Sequence, residues 1–426
     1  MTSPTSRLKF RENCGSGIPV ALAGIIALGA GILHASPLCA ALGLTLFLVP
    51  AGVFALLWLT LRRTRISHVV EESAFEGDTV EVSVFLHNRS RFPLFYPAVA
   101  EVFSPEVFAQ KTISFPYRVI PGETVLEVYR GECMLPRGVY GVGPAAVSAS
   151  DPLGWFRLEK RTEAQSPIKV YPRFDSFGVG ERLGACLKPV VRDVTRFGIG
   201  ESNEFFSVRE YRFGDPLRRV HWGLTAHRGY PVVRENTRTA IGDLSIYLDL
   251  YRFALLGVGR GSSLEQSVKI AASIASHALQ RGHRVQLMAH GKSEVHVAPG
   301  SGTPHLQAIL DALVDVKPDG RMPLHELLDQ RMREALPGGT ALFMVSPYLE
   351  TSEKFRMQLL DLRRKGVRVV LVVFDSATYR SLYEPLPAEH SASEYADYMS
   401  SLGMETFLVP CAADLPAVFL GGEGKT

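Results

Sequence analysis

The hydrophobic residues of this chain form three successive patterns, and the first is one long apolar stretch. From Asn13 to Leu61 there are 49 consecutive residues without Asp, Glu, Lys or Arg. Because a helix needs about 20 apolar residues to cross a membrane, this stretch is long enough for two crossings. The sequence His-Ala-Ser-Pro interrupts it, so we predict a transmembrane hairpin with spans at 18–33 and 38–61. A signal peptide is the alternative, but a second, longer apolar run directly behind the first argues against it.

Basic residues flank this stretch on both sides and predict its orientation. The turn between the two spans carries no charge. By the positive-inside rule both flanks lie in the cytoplasm, and so does everything after residue 65. The basic residues concerned are Arg7, Lys9 and Arg11 before the first span, and Arg62, Arg63 and Arg65 after the second.

The second pattern is an alternation of period two in the middle of the chain. Val80, Val82 and Val84 point to one face of an extended chain, and the Glu and Ser between them point to the other. This alternation is typical of a strand with one buried face. Further short strands and turn sequences follow without a long helical pattern. We therefore predict an antiparallel β-sandwich over 66–172.

In the third pattern, short apolar runs alternate with stretches of helical periodicity. This alternation predicts a doubly wound α/β domain over 241–426, built on a parallel sheet. The predicted strands are 244–248, 285–288, 341–345 and 367–374, and the predicted helices are 262–280, 304–316, 324–335 and 353–365.

The composition excludes several classes of function. The chain has 426 residues, enough for about three ordinary domains. A hydrophobic content of 46% with 21% charged residues indicates globular domains rather than disorder. A net charge of only +3 argues against a polybasic nucleic-acid binder. Five widely separated cysteines without a C-x-x-C pair predict neither a disulfide scaffold nor a zinc knuckle.

The segment 173–240 differs from the rest of the chain because most of its basic residues are arginines. Residues 192–238 contain nine arginines, six acidic residues and no lysine. Arginine is suited to planar, bidentate ion pairs that are partly buried. The near balance of charges favours an internal salt-bridge lattice, and a surface that binds carboxylates or phosphates is the alternative.

This segment resembles the signature of the bacterial domain of unknown function 58 family. The family pattern is an acid–Phe pair, Arg-x-Tyr, Gly-Asp and then Arg-x-Ile-x-Trp, and upstream motifs such as 151–156 and 170–173 are also typical of it. The resemblance covers nearly the whole chain. The residues that we predict to bind a partner are Glu204, Phe205, Arg209, Tyr211, Gly214, Asp215, Arg218, Arg219, His221 and Trp222.

The resemblance implies a fold and partners, but no established reaction. It implies that the C-terminal domain is similar to von Willebrand factor A domains. It also implies a MoxR-type AAA+ ATPase as a partner, with a transglutaminase-like membrane protein as a further possibility. We therefore expect a scaffold in the bacterial inner membrane, with its soluble domains in the cytoplasm, that is not an enzyme and uses no cofactor.

The metal site of such domains is incomplete in this chain. Von Willebrand A domains bind Mg²⁺ through Asp-x-Ser-x-Ser and further oxygen ligands. Here Asp249 is followed by Tyr251 and Phe253 in place of the two serines, and Ser346 precedes a proline where Ser-Asp is expected. We therefore predict no metal. We interpret the glycine-rich stretch 257–262, which is not G-x-G-x-x-G, as a flexible remnant of that loop.

Two other functions remain as hypotheses. The first is a hydrolase of cell-envelope material or a nucleotide-using enzyme, with the arginine motif as an anion clamp. It needs a nucleophile–base pair or a complete phosphate loop, and neither is visible, since G-x-S-x-G is absent. His221 and His227 are better interpreted as structural histidines. The second, a metal-dependent adhesin, conflicts with the flanking charges and with the Asp249 loop.

Overall fold

The chain divides into two compact units, Met1–Arg173 and Phe174–Thr426. The first contains an apolar helical pair and mainly antiparallel sheets, and the second contains a mainly parallel sheet with helices between its strands. The computed structural model describes residues 7–10, 17–107, 109–163, 165–176, 181–187, 205–211, 220–236, 243–330, 336, 339–379 and 391–420.

Two apolar helices, α1 (Gly17–Leu33) and α2 (Pro37–Arg63), form the pair predicted for the N-terminal stretch. By helical rise α1 is about 25 Å long and α2 about 40 Å long. Among the described residues, α2 is the one helix that is long and apolar enough to cross a membrane. Large apolar side chains remain exposed on both helices, for example Ile26 at 72% and Leu38 at 81%.

Glycines allow the backbones of α1 and α2 to approach each other closely. A Cβ atom on Gly24 would lie 2.6 Å from the backbone nitrogen of Phe47, and one on Gly43 would overlap the backbone of Leu28. Small residues of this kind are typical of helix pairs packed within a membrane. In contrast, a Cβ atom on Gly52 of α2 would meet nothing within 4 Å.

The strands of the first unit form two principal sheets. One has the order β2-β4-β9, and the other has the order β1-β11-β10-β12-β3 with β6 and β7 attached through β10. A short pair, β5 and β8, completes the unit. The strands are β1 (Arg7–Phe10), β2 (Thr64–Val69), β3 (Ser73–Phe75), β4 (Thr79–Asn88), β5 (Leu94–Phe95), β6 (Ala98–Phe103), β7 (Ala109–Ser114), β8 (Arg118–Val119), β9 (Thr124–Glu132), β10 (Gly138–Ser150), β11 (Arg157–Thr162) and β12 (Ser166–Tyr171).

The predicted alternation of β4 is confirmed, and it builds the core of this unit. Val80, Val82, Val84 and Leu86 are all buried on one face of the strand. They belong to one hydrophobic cluster that also contains buried residues of the larger sheet and of the end of α2, among them Val99, Phe103, Val147, Ile168, Leu57 and Leu61.

The second unit is built on a six-stranded sheet. Its order is β17-β16-β15-β18-β19-β20, with all neighbours parallel except the antiparallel edge strand β17. Numbered from the first strand of this sheet, the order is 3-2-1-4-5-6, which is that of a doubly wound fold. These strands are β15 (Asp243–Leu248), β16 (Arg284–His290), β17 (Glu294–Gly300), β18 (Ala341–Ser346), β19 (Arg368–Phe374) and β20 (Glu405–Val409).

Helices and a two-stranded sheet complete the described part of the second unit. The predicted strands of the large sheet are confirmed to within two residues, and so are the predicted helices at 262–280, 304–316 and 353–365. The predicted helix at 324–335 is described as far as Gln330. The remaining elements are α3 (Glu181–Leu187), β13 (Phe205–Glu210), α4 (Trp222–Arg228), β14 (Val232–Asn236), α5 (Ser263–Gln280), α6 (Thr303–Val314), α7 (Leu324–Gln330), α8 (Glu353–Arg364), α9 (Ala392–Ser401) and α10 (Leu415–Leu420).

The close approach of α1 and α2 predicts that Gly43→Val destabilises the helical pair. A valine side chain at this position must push the backbone of α1 away, which costs about 1–3 kcal/mol. The measurement is the thermal unfolding of the full chain in detergent. Gly52→Val in the same helix is the matched control, because it has the same intrinsic helix propensity cost and meets open space. Equal losses in the two variants would contradict the packing argument.

Candidate functional site

The structure describes three of the ten predicted partner-binding residues completely. These are Tyr211, His221 and Trp222. Phe205 and Arg209 lie in β13, whose backbone is described without those side chains. The other five lie outside the described residues, and so does the predicted Gly-Asp turn: Glu204, Gly214, Asp215, Arg218 and Arg219.

Tyr211 and His221 are brought together by the strand that follows them. Strands β13 and β14 pair in antiparallel register. The backbone N–H of Tyr211 donates to Pro231 at 2.9 Å, and that of His221 donates to Val232 at 2.8 Å. Both predicted residues therefore bond to consecutive carbonyls at the start of β14.

Helix α4 is fixed at both ends, although it is short. The His221 side chain caps its beginning, since Nδ1 accepts from the backbone N–H of Leu224 at 3.3 Å. Gly229 ends it with φ of +76°, a conformation that favours glycine. The Thr225 hydroxyl accepts from the N–H of Val232 at 3.0 Å and so ties the helix to β14. His221 therefore has a structural contact at the start of α4.

Trp222 projects from this fixed helix into solvent. Its exposed fraction is 67%, and that of nearby Tyr230 is 42%. Tyr230 was not predicted from the sequence, although it directly follows the glycine that ends α4. Trp222 is therefore available for contact with another molecule.

A second group of polar side chains lies at the carboxyl ends of the two central strands, β15 and β18. Asp249 follows β15 and is 5% exposed, and Ser346 ends β18. One oxygen of Asp249 accepts from the Ser346 hydroxyl at 2.6 Å, and the other accepts from the N–H of Tyr251 at 2.9 Å. This is the point at which the strand order reverses, where doubly wound folds bind their ligands.

The residues around Asp249 do not fit a magnesium site. Tyr251 occupies the first expected serine position, and its ring packs edge-on against Phe253 at 5.4 Å and Tyr348 at 5.9 Å. Within the described ranges, no group of three His, Cys, Asp or Glu side chains could hold a metal ion. Asp249 and Ser346 bond to each other, and two such oxygen donors fall far short of an octahedral shell.

Sequence reasoning missed a polar group beside this point. Glu350 is 5% exposed, and its carboxylate lies 2.8 Å from Nδ1 of His325. The phenol of Tyr395 donates to the backbone carbonyl of Glu350 at 3.0 Å. Glu350 and His325 are 25 residues apart and belong to different elements, so no sequence spacing indicates their contact.

The loop after Asp249 presents apolar side chains to solvent. Phe253, Leu255 and Val258 are 54%, 41% and 59% exposed. The glycine-rich stretch 257–262, which the sequence suggests is a flexible remnant, is closed by two reciprocal hydrogen bonds. These join Leu256 and Ser263 at 2.8 Å and 2.9 Å. We call residues 251–258 the apolar loop.

Burial makes the Asp249 carboxyl a source of pH dependence. Burial is the main cause that raises the pKa of Asp249, and the bonds from Ser346 and Tyr251 oppose this. Because the folded state then holds the proton more tightly than the unfolded state, stability is lost as the pH rises from about 4 through the raised pKa. Asp249→Asn removes this loss. We expect the variant to gain stability relative to the wild type over that window.

The gain can be measured at matched pH values by thiol labelling of Cys186, which is fully buried in the same unit. Asp361→Asn, a partly exposed position on α8 that pairs with Lys365, is the control and should not show the same gain. A stability difference between Asp249→Asn and the wild type that does not vary with pH would contradict the argument.

Comparisons with known proteins give one match that bears on identity. No curated protein matches the chain. Solved structures with local similarity include the CARDB domain of PF1109 from Pyrococcus furiosus, at 12% identity over 25% of this chain and 86% of that one, with a TM-score of 0.19. Spo0M from Bacillus subtilis has 12% identity over 25% of this chain and 49% of that one, with a TM-score of 0.17.

A GH20 exo-β-N-acetylglucosaminidase from Vibrio harveyi has 10% identity over 82% of this chain and 90% of that one, with a TM-score of 0.18. TM-scores this low carry no argument about fold or function. In contrast, residues 207–380 match the family model described as "Protein of unknown function DUF58". This match includes α4, Asp249 and the apolar loop, and it supports the DUF58 family for this part of the chain.

Proposed function

We propose that this protein is a membrane-anchored scaffold whose α/β unit binds a partner protein. The observation that carries the proposal is Trp222, which is exposed to solvent on a helix that is capped at both ends. The role needs no chemical reaction at this surface. It needs a stable surface, a partner and an anchor.

The exposed Trp222 has the properties of an interface hot spot. Tryptophan is enriched among residues that dominate binding energy, because a large, rigid side chain loses little entropy when it is buried. The hydrogen bonds of His221 and Thr225 hold the backbone beneath it. Exposed Tyr230 follows the glycine that ends the same helix and offers a second aromatic contact.

The apolar loop supports recognition without a metal ion. We propose that the second unit is a von Willebrand factor A-like domain, on the basis of its strand order and its one antiparallel edge strand. At the point where such a domain binds its ligand through Mg²⁺, this chain exposes Phe253, Leu255 and Val258. Apolar contact then replaces metal coordination as the source of affinity.

The anchor in this proposal is a two-span hairpin with cytoplasmic flanks. The length and apolar surface of α2 support one span, and the close packing of α1 against it supports a second. The basic residues on both flanks support the orientation. A MoxR-type AAA+ ATPase is the partner that the family resemblance implies, with a transglutaminase-like membrane protein as a further possibility.

The first experiment is affinity capture of the full-length protein in detergent, with ATP and with a non-hydrolysable analogue. We expect recovery of the ATPase to depend on the nucleotide. Trp222→Ala should weaken the complex by about 30-fold, corresponding to a hot-spot loss of about 2 kcal/mol. Its stability should be unchanged, because the side chain is mostly exposed.

Tyr117→Ala is the matched control, since this aromatic residue is 64% exposed in the other unit. It should leave the affinity unchanged. Capture without any ATPase in either nucleotide state would remove this partner from the proposal. Equal affinities of the wild type and Trp222→Ala for the partner would contradict the proposal that the surface around Trp222 binds it.

The orientation can be tested with native cysteines. Cys39 is exposed near the turn between the helices, and Cys411 is partly exposed in the α/β unit. A membrane-impermeant maleimide added to intact spheroplasts should label Cys39 and should label Cys411 only after lysis. Cys39→Ser identifies the labelled site. Labelling of Cys411 in intact spheroplasts would contradict a cytoplasmic α/β unit.

A further inference from the structure

Three polar side chains from separate strands of the first unit meet in a line. The Oγ of Ser166, at the start of β12, lies 2.7 Å from Nε2 of His68 on β2. The other ring nitrogen of His68, Nδ1, lies 3.0 Å from Oε1 of Glu101 on β6. A hydroxyl, an imidazole and a carboxylate in this order form the arrangement that activates a serine nucleophile.

A buried carboxylate lies beside the histidine and places a negative charge next to its ring. Glu101 is fully buried, and its second oxygen accepts from the Tyr129 phenol at 2.9 Å. Burial and the Glu101 carboxylate raise the pKa of Tyr129, so the phenol keeps its proton and donates it. Among the described residues, Oε1 has no hydrogen-bond partner, so its approach to Nδ1 of His68 at 3.0 Å is an electrostatic contact. The negative charge beside Nδ1 favours the His68 tautomer with the proton there, and Nε2 is then left to accept from Ser166.

The nucleophile is accessible, whereas its base is shielded. Ser166 is half-buried, and its neighbours Gln165 and Pro167 are exposed. The side chain of His68 is only 8% exposed, and that of Glu101 is not exposed. A reagent can therefore reach Oγ from solvent at the start of the strand, while bulk water is largely kept from the imidazole.

We propose that Ser166, His68 and Glu101 form a nucleophilic site that is acylated by carboxylic esters. Ser166 Oγ forms a bond to the ester carbonyl carbon, and its proton passes to Nε2 of His68. The ester bond breaks, and the departing alkoxide takes that proton and leaves as the alcohol. Water then attacks the acyl-serine with the same base, and the carboxylic acid and the free serine are released. Water is the only co-reactant.

The site differs from the hydrolases considered in the sequence analysis. The three residues are separated by 33 and 65 positions, and no nucleophile elbow marks the serine. Proline follows Ser166, so that residue has no N–H to donate to an oxyanion. We therefore expect acylation by activated esters to be faster than turnover. This inference concerns the first unit and is independent of partner binding by the second.

The test is labelling of the full-length protein in detergent with a fluorophosphonate probe, followed by mass spectrometry. We expect an adduct on Ser166 and a burst of p-nitrophenol from p-nitrophenyl acetate, both lost in Ser166→Ala. His68→Gln should slow labelling by at least about 100-fold, since general base catalysis contributes at least that much. Glu101→Gln should lower the maximal labelling rate without changing the probe concentration that gives half of it, as expected for a positioning residue.

Ser67→Ala is the matched control, because Ser67 is the exposed neighbour of His68 on the same strand. It should label like the wild type. The fully buried thiol of Cys133 reports folding of each variant, since it should remain unreactive. Absence of an adduct on Ser166 in the wild type would overturn the proposal without recourse to any variant. So would unchanged labelling of His68→Gln.

Discussion

The first unit depends on one continuous apolar core that begins in a helix and continues between two sheets. Leu57 and Leu61, in the last turns of α2, belong to the same buried cluster as the valines of β4. The carbonyls at this helix end also need donors. Lys160 supplies them, since its ammonium donates to Arg62 at 3.0 Å and to Thr64 at 2.7 Å, and burial lowers its pKa. The helix cannot leave the sheets without exposing Leu61 and breaking these bonds.

Elements with a strong apolar periodicity could be predicted from the sequence, whereas others, including the partly buried α9 and β20, could not. The alternation of β4 and the apolar positions of α5 follow from the side that each element buries. Strand β17 was not predicted, because it is an edge strand with every residue at least partly exposed. An edge strand requires no apolar periodicity, so its position follows from pairing with β16 alone.

The functional surfaces were less predictable because they depend on contacts between distant residues. Asp249 was recognised from its strand, but its bond to Ser346 joins residues 97 apart in sequence. His68 and Ser166 are 98 apart and had no sequence signal. Trp222 was predicted to bind a partner, and the sequence could not show that α4 has no buried residue at all. From the sequence alone, an aromatic residue that packs in the core cannot be distinguished from one that is exposed to a partner.

The junction between α2 and β2 has a mechanical consequence. The helix ends at Arg63 and the strand begins at Thr64, with no residue between them. When a flexible linker joins a domain to its anchor, the linker must extend before a force on the domain reaches the anchor. No linker separates α2 from β2, so a force or torque applied to the sheets is transmitted directly to the apolar helix. If a motor protein acts on the proposed scaffold, its work would reach the apolar helix and would not be lost in a flexible connection.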